Sequence, residues 1–183
     1  MTDHLFFIAV LPDEAIQAEV ARFKHYAARH FKSSRALRSP AHITLFSPFR
    51  WPPDKLAQLE GCLQRFARQE RSFLQGLKNF NCFKPHVIFV DVERNDELPG
   101  LQNRLEEQLK RELELINDSQ HDFNPHLTVA FKDLKRSIFP EAWEYFSRIA
   151  YERQFLVSEI TLLENNGREW VVFEQFEMTG EES

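Results

Sequence analysis

The 183-residue sequence predicts an α+β fold built by internal duplication, and three observations carry the prediction. Segments with strand and helix periodicity alternate along the chain, and they do so twice in the same order. The pattern His-x-Thr occurs at His42 and again at His126, 84 residues later. The apolar runs that open the two halves, from Leu5 and from Val87, lie 82 residues apart, and so nearly constant an offset marks a repeat.

Each element has its own warrant. The run from Leu5 to Val10 is short, apolar and aromatic-rich, as a buried strand requires. Pro12-Asp13-Glu14 puts proline and acidic residues where a helix begins, and Ile16, Val20, Phe23 and Tyr26 follow at helical spacing, so a helix is predicted over 12–31. A polar, basic loop with Arg35, Arg38 and Pro40 leads into a strand beginning at His42. Pro52-Pro53-Asp54 opens a second helix, with Leu56, Leu59, Leu63 and Phe66 on one face, and 73–83 reads as a strand.

The order then restarts. Val87 to Val92 is a strand, and 96–115 is a helix with Leu98, Leu101, Leu105 and Leu109 at helical spacing. A polar loop over 118–125 precedes a strand from His126. Pro140 lies near the start of a helix that reaches about 149, and 155–163 reads as one strand. Asn165-Asn166-Gly167 is a turn signal before a last strand, 170–176, and Thr179 to Ser183 reads as a solvated acidic tail. The two halves, about 4–84 and 85–177, make up one domain spanning 1–183.

Composition narrows the function classes. A net charge of −5 argues against a protein that coats long duplex nucleic acid, and points to a small phosphate compound or a strand end. Cys62 and Cys82 fall in no disulfide or zinc spacing, so free thiols in a reducing compartment are expected. The N-terminus lacks a basic leader, and the apolar run after it is too short to span a bilayer. A cytoplasmic monomer away from membranes is the expectation. Phenylalanine is abundant, with 18 copies, and most must pack the core, so stacking on a base has to be argued position by position.

In a strand, residues i and i+2 share a face. His42 and Thr44 therefore project together while Ile43 and Leu45 turn to the core; His126 and Thr128 do the same, backed by Leu127 and Val129. One neutral imidazole can take a proton from an attacking hydroxyl or water, and one imidazolium can give a proton to a leaving oxygen. The two threonine hydroxyls can donate to phosphoryl oxygens as charge develops there. The set calls for no metal and no organic cofactor. A single His-x-Thr match would carry little information; two at equivalent places in a repeat carry much.

The segments Pro40-Ala41-His42-Ile43-Thr44-Leu45 and Asn124-Pro125-His126-Leu127-Thr128-Val129 resemble the paired motifs of the 2H phosphoesterase superfamily, and within it the 2′-5′ RNA ligase-like (LigT-like) proteins. The likeness covers about 4–177. It implies a bilobal fold in which two antiparallel sheets form a central cleft with helices on the outer faces. It also implies processing of RNA 2′,3′-cyclic phosphates or 2′-5′ linkages, with His42, Thr44, His126 and Thr128 as the catalytic set.

Around that set, Phe46 continues the His/Thr face if the strand stays regular, and could stack on a base, while its counterpart Ala130 would leave room for substrate. Arg38 and Lys132, with Arg35 and Lys84, are candidates to hold phosphate. His86 is expected at the surface, as are His4, His25, His30 and His121. The expected activity is hydrolysis of a cyclic phosphodiester in a small nucleotide or at an RNA terminus. The alternatives are 2′-5′ ligation or cleavage, a nucleotide-binding module without turnover, and a di-histidine metal protein. The near symmetry of the motifs leaves open which histidine is base and which acid.

Overall fold

A computed structural model describes residues 2–119 and 121–181. Its elements follow in the order β1 (His4–Val10), α1 (Glu14–Phe31), β2 (Ile43–Trp51), α2 (Leu56–Gln69), β3 (Phe73–Phe83), β4 (Val87–Val92), α3 (Glu97–Leu113), β5 (His126–Ala130), α4 (Phe139–Ser147), β6 (Glu152–Val157), β7 (Glu159–Asn165) and β8 (Trp170–Glu177). Short 3-10 turns at Arg35–Arg38 and Pro53–Lys55 precede β2 and α2. The α1 helix starts two residues after Pro12 because Asp13 is its N-cap, accepting from the Ile16 N–H at 2.9 Å.

The strands form two four-stranded antiparallel sheets, in the orders β2-β1-β7-β8 and β5-β4-β3-β6. Both sheets follow one plan: the His-x-Thr strand is the edge and the half's leading strand lies next to it. The helices tie the two sheets together. α1 packs against β5, and α3 packs against β2, so each half's first helix covers the other half's motif strand. One continuous core joins Phe6, Ile8, Ile43 and Leu45 of the first sheet to Ile88, Val90, Leu127 and Val129 of the second.

Two sequence expectations are corrected by the register. The single strand expected over 155–163 is two strands, broken at Ser158, that belong to different sheets. The alternation slips there: Phe155 and Val157 are buried on one side of the break, Ile160 and Leu162 on the other. Here the chain leaves the second sheet for the first, and β3 makes the reverse commitment. Each sheet therefore draws strands from both linear halves, and the boundary near 84 separates repeats rather than sheets.

The second correction concerns Phe46. Thr44 pairs with Ala9, but Phe46 pairs with Ile8, so β2 carries one extra residue, a β-bulge, immediately after the motif. The bulge turns Phe46 into the core, where it is 1% exposed and meets the Phe49 ring edge-on at 5.5 Å. β5 repeats the device: Thr128 pairs with Phe89 and Ala130 with Ile88, which buries Ala130 as well. Neither residue faces the cleft.

At the C-terminus, the expected solvated tail is held over its first residues. Gly180 N–H donates to Glu70 at 2.9 Å and Glu181 N–H to Arg68 at 2.7 Å, at the end of α2. Glu182 and Ser183 lie outside the described residues. No described helix is long and apolar enough to cross a membrane.

Candidate active site

The bulges confine the His/Thr face to the motif itself, and the two faces meet because β2 and β5, the edge strands of the two sheets, lie against each other. His42 stands just before β2 and His126 begins β5; both are half-buried. Each ring is aimed in the same way. His42 Nδ1 lies 2.8 Å from the Pro40 carbonyl, and His126 Nδ1 lies 2.7 Å from the Asn124 carbonyl, two residues upstream in both cases. A carbonyl oxygen only accepts, so Nδ1 carries the hydrogen in both rings and Nε2 is left for chemistry.

Aromatic rings wall in both imidazoles. Phe7 packs on His42 at 4.8 Å between ring centroids and is itself met edge-on by Trp170 at 4.7 Å. Phe83 and Phe89 flank His126 at 5.2 and 5.1 Å. Thr44 and Thr128 are half-buried, and among the described residues neither hydroxyl has a hydrogen-bond partner, so both can donate to a ligand.

The electrostatics separate the two histidines. Burial pushes His42 down to about 4, and the positive charges of Lys24 and His126 add to the fall against the support of the Pro40 carbonyl. Burial also lowers His126, but the Asn124 carbonyl and the Asp91 carboxylate resist. His42 is thus the stronger candidate for the neutral form and His126 for the protonated one.

The loop that delivers His42 is held from three sides. Gln17 on α1 grips Ala41 twice, donating to its carbonyl at 2.7 Å and accepting from its N–H at 2.8 Å. Lys24 Nζ donates to the Ser39 carbonyl at 2.9 Å. From the other sheet's lobe, Asp133 accepts from the Ser33 hydroxyl at 2.9 Å and from the N–H groups of Ser34 and Arg35 at 2.8 and 3.0 Å, capping the 3-10 turn.

Of the basic candidates, Arg38 ends that turn, is exposed, and its guanidinium has no hydrogen-bond or ion-pair partner among the described residues. Lys132 is exposed just past β5, its ammonium 5.4 Å above the Phe131 ring. Arg35 sits at the start of the turn, and Lys84 is exposed in the β3–β4 turn. His86, exposed as expected, lies 3.3 Å from the Leu134 carbonyl through Nδ1. The segment after β5 therefore touches both the loop before β2 and the β3–β4 turn. A groove of about 940 Å³ runs beside His126, lined by Asn81, Phe83, Phe89, Asp91, Asp122 and Asn124 among others. Among the described residues, no group of three or more His, Cys, Asp or Glu converges as a metal site would need.

Several members of this site were not singled out from sequence. Phe7 lies in a run where every residue is apolar, so nothing marks it as the cleft-facing member. Phe83 and Phe89 read as ordinary strand phenylalanines. Lys24 sits between Phe23 and Tyr26 in a helix, and only packing shows that it is buried.

The same plan recurs in known proteins. The sequence profile described as the 2′-5′ RNA ligase superfamily matches residues 12–169. A candidate phosphoesterase of Geobacillus sp. (strain WCH70) is 27% identical over 179 residues, 96% of each chain, and one of Geobacillus kaustophilus (strain HTA426) is 28% identical over 180 residues, covering 96% of this chain and 97% of that one. Among solved structures, E. coli LigT complexed with 3′-AMP superposes with a TM-score of 0.70 at 18% identity, over 97% of this chain and 99% of that one. A Thermus thermophilus protein gives 0.67 at 20% identity, over 97% and 100%. With both motifs on paired edge strands and the profile spanning most of its length, this chain belongs to the 2′-5′ RNA ligase superfamily, a branch of the 2H phosphoesterases.

Proposed function

We propose that the protein hydrolyses a cyclic phosphodiester, an RNA 2′,3′-cyclic phosphate or a related small nucleotide, by two-histidine acid–base catalysis. The observation that carries this reading is the matched pair of imidazoles. Each is pinned through Nδ1 to a backbone carbonyl and offers Nε2 beside an unpartnered threonine hydroxyl. His42 Nε2 takes a proton from water as its oxygen bonds to phosphorus. The P–O bond to one ribose oxygen breaks, and that oxygen takes the proton from His126 Nε2. Thr44 and Thr128 donate to the non-bridging oxygens, whose charge grows in the transition state.

This division of labour follows from the environments: the histidine more easily kept neutral is the base, and the one beside Asp91 is the acid. The chemistry needs no metal, because the imidazolium and the hydroxyls supply the positive charge and the hydrogen bonds. E. coli LigT, which shares the fold, has been crystallised with 3′-AMP, NADP+ and ATP, which supports a nucleotide-sized ligand here. Free Cys62 and Cys82 suit a cytoplasmic setting.

The same pair working in the same sense, with an RNA 5′-hydroxyl attacking in place of water and the 3′-oxygen leaving with the proton, would join a 2′-5′ linkage. The family's name favours testing that reaction as well. The decisive experiment measures turnover of a 2′,3′-cyclic nucleotide and of a short RNA ending in that group, in excess chelator, for wild type, His42→Ala and His126→Ala. Losses of about a hundredfold or more in both variants are expected; full activity in either one sinks the mechanism.

A further inference from the structure

Lys24 is a lysine in the wrong place for a surface helix. It is 4% exposed, and among the described residues it has no carboxylate partner. Its one hydrogen bond runs from Nζ to the Ser39 carbonyl at 2.9 Å. Burying an ammonium without a counter-charge opposes folding, and a methionine or leucine would fill the same space at less cost. Such groups persist where the charge acts on chemistry. Here the charge points at the loop that ends in the catalytic motif. Ser39, which Lys24 holds, is next to Pro40, whose carbonyl aims the His42 ring.

We propose that Lys24 is a positioning residue for His42: its ammonium anchors the loop that aims the imidazole and, as a like charge, keeps that imidazole in the neutral form a general base requires. The proposal rests on the reading of His42 as the base. Of the other influences on His42, burial is the largest and acts in the same direction, while the Pro40 carbonyl opposes it by supporting the protonated ring. From β5 comes His126, another cation when protonated, and from β1 the uncharged ring of Phe7; Arg35 and Arg38 lie on the exposed turn before β2. Gln17, the other α1 residue on this loop, is neutral and holds Ala41 without adding charge. Burial lowers Lys24 itself only to about 8, so it stays charged through the acid range in which His42 changes state.

The test compares wild type with Lys24→Met, which removes charge and donor, and Lys24→Gln, which removes the charge but keeps a donor. NMR titration of the His42 ring in the resting protein is the primary readout, with His42→Gln identifying the signal. In both variants the His42 midpoint should move up by about half a unit or more, the size expected of a charge felt across a short stretch of protein. The acid limb of kcat/KM for a 2′,3′-cyclic nucleotide should move with it, a loss of about threefold on that flank. Lys24→Met should melt at the same temperature as wild type or higher. An unmoved midpoint in both variants, or a lower melting temperature with no titration change, overturns the proposal and leaves Lys24 a structural residue. Because the titration is read without substrate, a protein inert on every phosphodiester would sink the catalytic reading while leaving this measurement decisive for the charge.

Discussion

The Asp133 carboxylate and the Ser33 hydroxyl meet at 2.9 Å, joining the segment that leaves one His-x-Thr strand to the segment that approaches the other. With the N–H groups of Ser34 and Arg35 on the same carboxylate, this contact sets how the two motif strands sit relative to each other.

Asp133→Ala should therefore lower kcat more than it lowers affinity, by about tenfold, because a small misplacement of paired catalytic groups is costly. The fold should lose about 1–2 kcal/mol, the range for removing a helix-cap acceptor. Burial tends to raise the Asp133 carboxyl, but the Ser34, Ser33 and Arg35 donors outweigh it and hold it below the usual value. Its contribution to stability is thus present above the ordinary aspartate range and disappears as pH falls through the lowered one. Urea unfolding of wild type and variant at neutral and acid pH would show the difference closing at low pH.

The pH–rate profile should be a bell displaced to the acid side. The rising limb reports the His42 base, pushed down to about 4, and the falling limb reports His126, also below the ordinary histidine value. An optimum at pH 8 or above for kcat/KM would contradict this assignment. The same lowering has a stability consequence. The unfolded chain binds a proton at His42 more readily than the folded one, so stability should fall as pH drops from about 6.5 towards 4, and His42→Gln should flatten that fall.

Phe46 and Phe83 should behave in opposite ways. Phe46→Ala empties a fully buried site and should destabilise the fold by about 3–5 kcal/mol, while the surviving folded protein keeps its KM. Phe83→Ala removes a ring that is 37% exposed beside His126, and should cost little stability but raise KM for a nucleotide. Chemical denaturation paired with steady-state kinetics separates the two.

The basic loops should matter for strands and not for mononucleotides. Three alanine substitutions at Arg35, Arg38 and Lys132, all exposed, should raise KM for a ten-nucleotide RNA ending in a cyclic phosphate and reduce its salt dependence by roughly 0.7 in log–log slope per lost contact. A cyclic mononucleotide, which has no strand to lay along the loops, should feel the substitutions far less. Equal effects on both substrates would argue that no strand runs over these loops.

Much of this was legible along the chain because it depends on local rules. Strand and helix periods, proline and acidic starts, and the two-residue repeat that puts histidine and threonine on one face are all properties of near neighbours in sequence. They placed α1 to α4, the leading strands and the four motif residues. Where the reading failed, the deciding contact came from a distant partner. Nothing in Thr44-Leu45-Phe46 announces a bulge; it appears because Ile8 takes Phe46 as its partner. The break at Ser158 could have been suspected from the slipped alternation, but not that its two sides serve different sheets.

What the sequence by itself determined is the chemistry on offer: two imidazoles, two hydroxyls and the strands that present them, since residue type and period suffice for that. What only the tertiary structure decided is how the surroundings of the two copies differ, and the proposed division into base and acid rests on that difference. The motifs are almost the same, so the difference between His42 and His126 has to come from groups far away in sequence. Lys24 and Phe7 stand near one, Asp91 and Phe83 near the other. A proton's preference is set by the charges and the water around it, and those are assembled only when the sheets close on each other.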